Sequence, residues 1–116
     1  MTKNVRVGII GAGWPGQQHA RAILAGKAAV IEALAEPNDE RTAEFGRTYS
    51  PKKVYQDYGD LLDNPREDAV IICLPNHLHF PATLTALRAG KHVLCEKPPT
   101  LYGAEMRVLQ EEAVAR

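Results

Sequence analysis

Val5-Arg6-Val7-Gly8-Ile9-Ile10-Gly11-Ala12-Gly13-Trp14-Pro15-Gly16 is the stretch from which the rest of the chain can be read. Its first half is short, apolar and partly β-branched, and it runs into a glycine cluster; it reads as a buried strand over Val5–Ile10. A helix is predicted from about Trp14 to Ala25. Pro15 suits its first turn, where no N–H partner is needed, and Gly26 reads as the C′ residue. The glycines between the two elements form G-x-G-x-x-G. That pattern is weak alone, but here it follows a strand and opens a helix.

Strand–helix alternation continues outward from this unit. Ala29–Ala35 reads as a second strand. Asn38 can cap a helix running to about Thr48, with Asp39 and Glu40 placed to oppose the helix dipole. Lys53–Tyr55 is a brief third strand, and Tyr58–Leu62 a short helix before an Asp63-Asn64-Pro65 turn. Asp68–Leu74 is a continuous apolar strand, as expected where helices cover both faces of a parallel sheet. Asn76 reads as the cap of a helix over His77–Ala89 with Phe80, Leu84 and Leu87 on one face. His92–Cys95 is a fifth strand. A last helix over about Tyr102–Ala115 carries Met106, Leu109 and Ala113 at helical spacing. The fold class is therefore α/β: a Rossmann-type, doubly wound parallel sheet of five strands in the order 3-2-1-4-5, lacking a sixth strand.

In such a fold each glycine has a task. Gly11 permits the tight turn, Gly13 lets a pyrophosphate approach the backbone, and Gly16 lets the helix pack against the strand. The helix N-terminus then presents N–H groups and a positive dipole end to the phosphates. Glu36, twenty residues after Gly16 at the end of the second strand, is placed to accept the adenosine ribose hydroxyls and to repel a 2′-phosphate. Two unit charges ~4 Å apart near a surface interact by roughly 4 kcal/mol, an upper bound because a strand-end carboxylate can rotate into water. NAD is thus favoured, with NADP as the alternative because Arg41 could swing towards a phosphate.

Composition narrows the remaining classes. Lys+Arg and Asp+Glu both number 14 among 116 residues, so nothing attracts nucleic acid or an anionic membrane at long range. The longest apolar runs, such as Ala69–Leu74, are too short to span a bilayer. Met1-Thr2-Lys3-Asn4 leads straight into a strand, so no signal peptide is expected. Cys73 and Cys95 both end predicted strands. They read as buried thiols rather than a disulfide or a metal site, which points to the reducing cytoplasm.

Three segments together resemble the Gfo/Idh/MocA oxidoreductases: Gly11-Ala12-Gly13-Trp14-Pro15-Gly16 with His19, Pro75-Asn76-His77-Leu78-His79, and Ala89-Gly90-Lys91-His92-Val93-Leu94-Cys95-Glu96-Lys97-Pro98. The resemblance implies an NAD(P)-binding domain over residues 1–116 of an enzyme that transfers hydride to or from a sugar- or cyclitol-like hydroxyl. It implies that Leu74, Pro75 and Asn76 line the cofactor and that His79 sits near the nicotinamide ribose. Glu96 would contact the nicotinamide end, and Lys97, the catalytic candidate, would orient the substrate hydroxyl. Trp14 reads as a lid over the loop, His77 and His92 as solvated residues, and His19 as a helix residue satisfied locally. In the family a sixth strand and a substrate domain carrying a proton donor or acceptor follow, so both are expected to be missing here. Without them a fifth-strand edge would be exposed and self-association is expected. The competing reading is a non-catalytic dinucleotide-binding or regulatory module. A methyltransferase-like use of the glycine loop predicts no Glu-Lys-Pro segment.

Overall fold

The computed structural model describes residues 5–26, 28–64, 66–95, 107–108 and 110–113. Five strands, β1 (Val5–Ile10), β2 (Ala29–Ala35), β3 (Lys53–Tyr55), β4 (Ala69–Ile72) and β5 (His92–Cys95), form one parallel sheet in the order β3-β2-β1-β4-β5. Four helices, α1 (Trp14–Ala25), α2 (Asp39–Tyr49), α3 (Tyr58–Leu62) and α4 (His79–Arg88), make the connections. The expected order and class are both found.

Side-chain alternation along the strands builds two cores. Val7, Ile9, Ile31, Leu34 and Ile71 join Ala20 of α1 and Phe45 of α2 on one face. Ile10, Ala33, Ala35, Val70 and Ile72 meet Leu61 and Leu62 of α3 and Ala82 and Ala86 of α4 on the other. Successive residues of a strand point to opposite faces, so a strand buried on both must be apolar throughout, as β4 is.

The register fixes where a site can form. Ile10 of β1 pairs with Ala35 of β2 and with Ile72 of β4, Ala35 pairs with Tyr55 of β3, and Ile72 pairs with Cys95 of β5. All five strands therefore finish in one row. Gly11, Glu36 and Cys73 leave the sheet along the same edge, and the ladder runs one residue beyond the row. Gly11 N–H donates to the Ala35 carbonyl, Glu36 N–H to that of Tyr55 and Cys73 N–H to that of Ile10.

Some local details differ from the sequence reading. Asn76 does not cap α4. Asn76–Leu78 instead forms a 3-10 turn, closed by Leu78 N–H on the Pro75 carbonyl, and α4 begins at His79 without a side-chain cap. The buried residues of α4 are His79, Ala82, Thr83 and Ala86, while Phe80, Leu84 and Leu87 are half-buried. Small residues let the helix lie close to the sheet. Gly26 leaves α1 in extended backbone (φ −84°, ψ 173°), not in the left-handed form of a C′ glycine, because the chain runs on towards β2. The strand expected over Asp68–Leu74 is confined to Ala69–Ile72. Cys73 is a buried thiol. Helical turns occur at 107–108 and 110–113; the rest of the predicted last helix lies outside the described residues, as do Glu96, Lys97 and Pro98. Among the described residues no helix is long and apolar enough to cross a membrane.

Candidate functional site: the groove at the strand ends

A groove of about 510 Å³ opens at this edge, where β1 lies between β2 and β4 and the connections diverge to opposite faces. Sheets of this kind bind ligands at such a switch point. Gly11, Gly13, Trp14, Pro15, Glu36, Leu74 and Pro75 all line it, joined by Pro37, Arg41, Cys73 and Leu78.

The three glycines of the loop are required for different reasons. Gly11 has φ +104°, and a Cβ there would lie 2.6 Å from the Cys73 carbonyl oxygen. A Cβ on Gly16 would lie 2.0 Å from the Gly11 oxygen. Both are excluded by the chain's own backbone. Gly13 is not: its φ is −72°, and a Cβ would meet only Arg41 Nη1 at 3.7 Å and Pro15 Cδ at 3.9 Å, ordinary contacts. Among the described residues none would clash with a side chain at 13. The missing side chain leaves space in the groove instead.

Gly13 is also the N-cap of α1. It supplies no side-chain bond, and the first turn of α1 carries no acid. By contrast, α2 is capped by Asn38 with Asp39 and Glu40 following, and α3 by Asp57. The positive end of α1 thus faces the groove without an acidic side chain of its own first turn against it, which suits an anion.

Glu36 forms the far wall. The residue is 5% exposed. Oε1 accepts the Ala12 N–H at 2.8 Å and Oε2 accepts the Asn38 N–H at 2.9 Å. The expected freedom to rotate into water is therefore absent: two backbone donors, one from the glycine loop and one from the α2 cap, fix the plane of the carboxylate. Each oxygen keeps a further lone pair for a hydroxyl donor. Arg41, whose N–H donates to Asn38 Oδ1, brings its guanidinium over Gly13. The groove thus has a fixed acceptor beside a cation and a helix N-terminus, a fit for a diol joined to a phosphate.

Trp14 lines the groove and is 74% exposed at its mouth. His79 is not on the groove wall. It is buried, and its Nε2 hydrogen-bonds the Leu74 carbonyl oxygen, which braces the Leu74-Pro75 turn from behind. His77 and His92 are exposed, as expected, and His19 is half-buried on α1. The sequence reading missed Pro37, Cys73 and Leu78 as lining residues. Their positions beside Glu36, before Leu74 and in the Pro75–His79 segment were the available signal.

Residues 5–116 match the oxidoreductase family described by an NAD-binding Rossmann fold, Gfo/Idh/MocA. The chain is 33% identical to levoglucosan dehydrogenase of Pseudarthrobacter phenanthrenivorans, over 94% of this chain and 30% of that protein. It is 32% identical to myo-inositol 2-dehydrogenase of Thermotoga maritima, over 93% of this chain and 32% of that protein. Among solved structures, scyllo-inositol dehydrogenase from Lactobacillus casei with bound NAD(H) and scyllo-inositol superposes with a TM-score of 0.91 at 28% identity, covering 97% of this chain and 34% of that one. The chain spans about a third of the length of the curated relatives it matches.

Proposed function

Because the chain belongs to the Gfo/Idh/MocA oxidoreductase family, we propose that its groove holds the dinucleotide of a dehydrogenase acting on a sugar- or cyclitol-like hydroxyl or carbonyl. The observation that carries the reading is the clamped Glu36 carboxylate beside a Gly13 at which no described residue would clash with a side chain. Glu36 accepts the adenosine ribose hydroxyls. The N-terminus of α1 and Arg41 hold the pyrophosphate. Leu74, Pro75 and Asn76 line the path towards the nicotinamide, with His79 supporting their turn.

The bound cofactor supplies the hydride acceptor or donor. The chain's part is to bind and orient it and to place Glu96 and Lys97 beside it. Cys95 shares the terminal row of the sheet with Ile10 and Ile72, and Glu96 and Lys97 are the next two residues in sequence. Lys97 orients the substrate hydroxyl through its ammonium group. A base within hydrogen-bond reach of that hydroxyl is also needed.

Titration of the 116-residue chain with NADH tests this. Binding is expected to change Trp14 emission and to raise the melting temperature; a ligand at a hundred times its Kd adds about 2.7 kcal/mol of stability. If neither NADH nor NADPH alters emission or melting, the proposal fails.

A further inference from the structure

Away from the groove, at the opposite end of the sheet, a lysine is buried. The Lys91 side chain is 8% exposed and immediately precedes β5. Its Nζ donates to the carbonyl of Asn64 at 2.7 Å and to that of Glu67 at 2.9 Å, both in the connection between α3 and β4. The Glu67 carboxylate, fully buried, lies 3.6 Å from the same nitrogen. A buried ammonium is costly unless its donors are used, and here two go to fixed backbone acceptors.

The rest of β5 is weakly held. It is four residues long and, among the described residues, pairs with β4 alone. His92 and Leu94 are exposed and Val93 is half-buried. Its first ladder bond, His92 N–H to the Asp68 carbonyl, is 3.3 Å long. Among the described side chains of β5, Val93 alone packs against the core, so burial holds the strand at one position. A slip of one residue would move the strand by about 3.3 Å and turn every side chain to the other face. Such a slip would carry along the segment after Cys95.

We propose that Lys91 is a positioning residue: by clamping the Asn64 and Glu67 carbonyls it sets β5 on β4, and with it the point from which the chain continues to Glu96 and Lys97. The inference rests on the reading above for Glu96 and Lys97. It assigns the clamp to the lysine–carbonyl bonds, not to the ion pair.

The test compares NADH with ADP-ribose, which lacks the nicotinamide, on the 116-residue chain. Lys91→Met alone leaves Glu67 buried without its cation and threatens folding. The double variant Lys91→Met with Glu67→Leu removes both charges and keeps the apolar volume. In it, melting is expected to stay near that of the wild type. ADP-ribose affinity should hold within about twofold while NADH affinity falls about tenfold, a loss of ~1.4 kcal/mol. Amide hydrogen exchange should quicken at Val93–Cys95 and not at Val7–Ile10. The single variant Glu67→Gln, which keeps both carbonyl bonds, should leave the exchange of β5 unchanged. A merely structural role would weaken both ligands together, and that result overturns the inference. So does a double variant in which β5 stays protected and the preference for NADH is intact. Equal wild-type affinity for the two ligands would instead overturn the placement of Glu96 and Lys97, and the inference with it.

Discussion

Glu36 and Ala12 are 24 residues apart, yet the Ala12 N–H ends on Glu36 Oε1 at 2.8 Å inside the protein. The same carboxylate takes the Asn38 N–H on Oε2. One side chain thus ties the glycine loop to the start of α2 and, in the proposed function, accepts the ribose hydroxyls. Glu36→Gln can satisfy only one of the two donors, because an amide nitrogen does not accept. Leaving a buried N–H unsatisfied costs about 1–3 kcal/mol. The variant is expected to melt several degrees lower and to lose much of its preference for NADH over NADPH. Thermal denaturation and paired fluorescence titrations read both effects. A variant that melts like the wild type would show that these bonds do not hold the loop.

Gly13 and Gly16 separate ligand space from packing space. Gly16→Ala would drive a Cβ to 2.0 Å from the Gly11 oxygen, so α1 must shift, with an expected loss of about 1–3 kcal/mol or more. Gly13→Ala meets nothing closer than 3.7 Å and keeps an ordinary φ. It should cost far less stability than Gly16→Ala, because the about 0.4–1 kcal/mol gained by restricting the unfolded chain offsets alanine's poorer standing at the N-cap of α1. Yet it should cost most of the nucleotide affinity. Denaturant unfolding with NADH titration of both variants checks the contrast; equal destabilisation of the two would contradict it.

His79 lies behind the groove, not in it. His79→Ala removes a fully buried ring and its bond to the Leu74 carbonyl. Loss of a large buried side chain costs about 2–5 kcal/mol. The loosened Leu74-Pro75 turn should weaken NADH binding as well. His79→Gln, which keeps an N–H donor, should retain more of both. Urea unfolding and NADH titration of the two variants compare them, and identical losses would mean that the bond to Leu74 does not matter.

The parallel sheet was legible in the sequence because strands alternate with helices and β4 is apolar throughout, as a strand covered on both faces must be; the strand order followed from the Rossmann pattern. The groove was legible through Gly11, Gly13, Gly16 and the spacing to Glu36. What the sequence hid were relations between distant segments. The fixing of Glu36 depends on β1 and β2 being neighbours. The buried face of α4 uses Ala82, Thr83 and Ala86, whose small size gives little hydrophobic periodicity beside Phe80 and Leu84. Lys91 and Glu67 lie just before strands, where the sequence carries no signal that they meet; the packed structure brings the two buried side chains together.

The charges at the opposite end of the sheet predict a pH dependence with two opposing limbs. Burial, the largest cause, raises the Glu67 carboxyl above its ordinary 4.5, with the Glu32 charge acting the same way and Lys91 opposing it. Glu32, itself buried, lies 3.9 Å from Lys52. A raised folded value means that the contribution of Glu67 to stability is complete below 4.5 and is lost as pH rises through the folded value. Asp68 behaves oppositely. Its hydrogen bonds from the Arg6 side chain and N–H hold it below its ordinary 3.8, so its contribution is present above 3.8 and is lost as pH falls through the lower folded value. Stability on account of these two groups should peak between their ordinary values, 3.8 and 4.5. Glu67→Gln should flatten the decline on the alkaline side and leave the acid side unchanged, while Asp68→Asn should do the reverse. Unfolding free energies measured from pH 3 to pH 8 at constant ionic strength separate the two limbs. A Glu67→Gln profile parallel to the wild type above pH 5 would mean that Glu67 stays ionised in the fold.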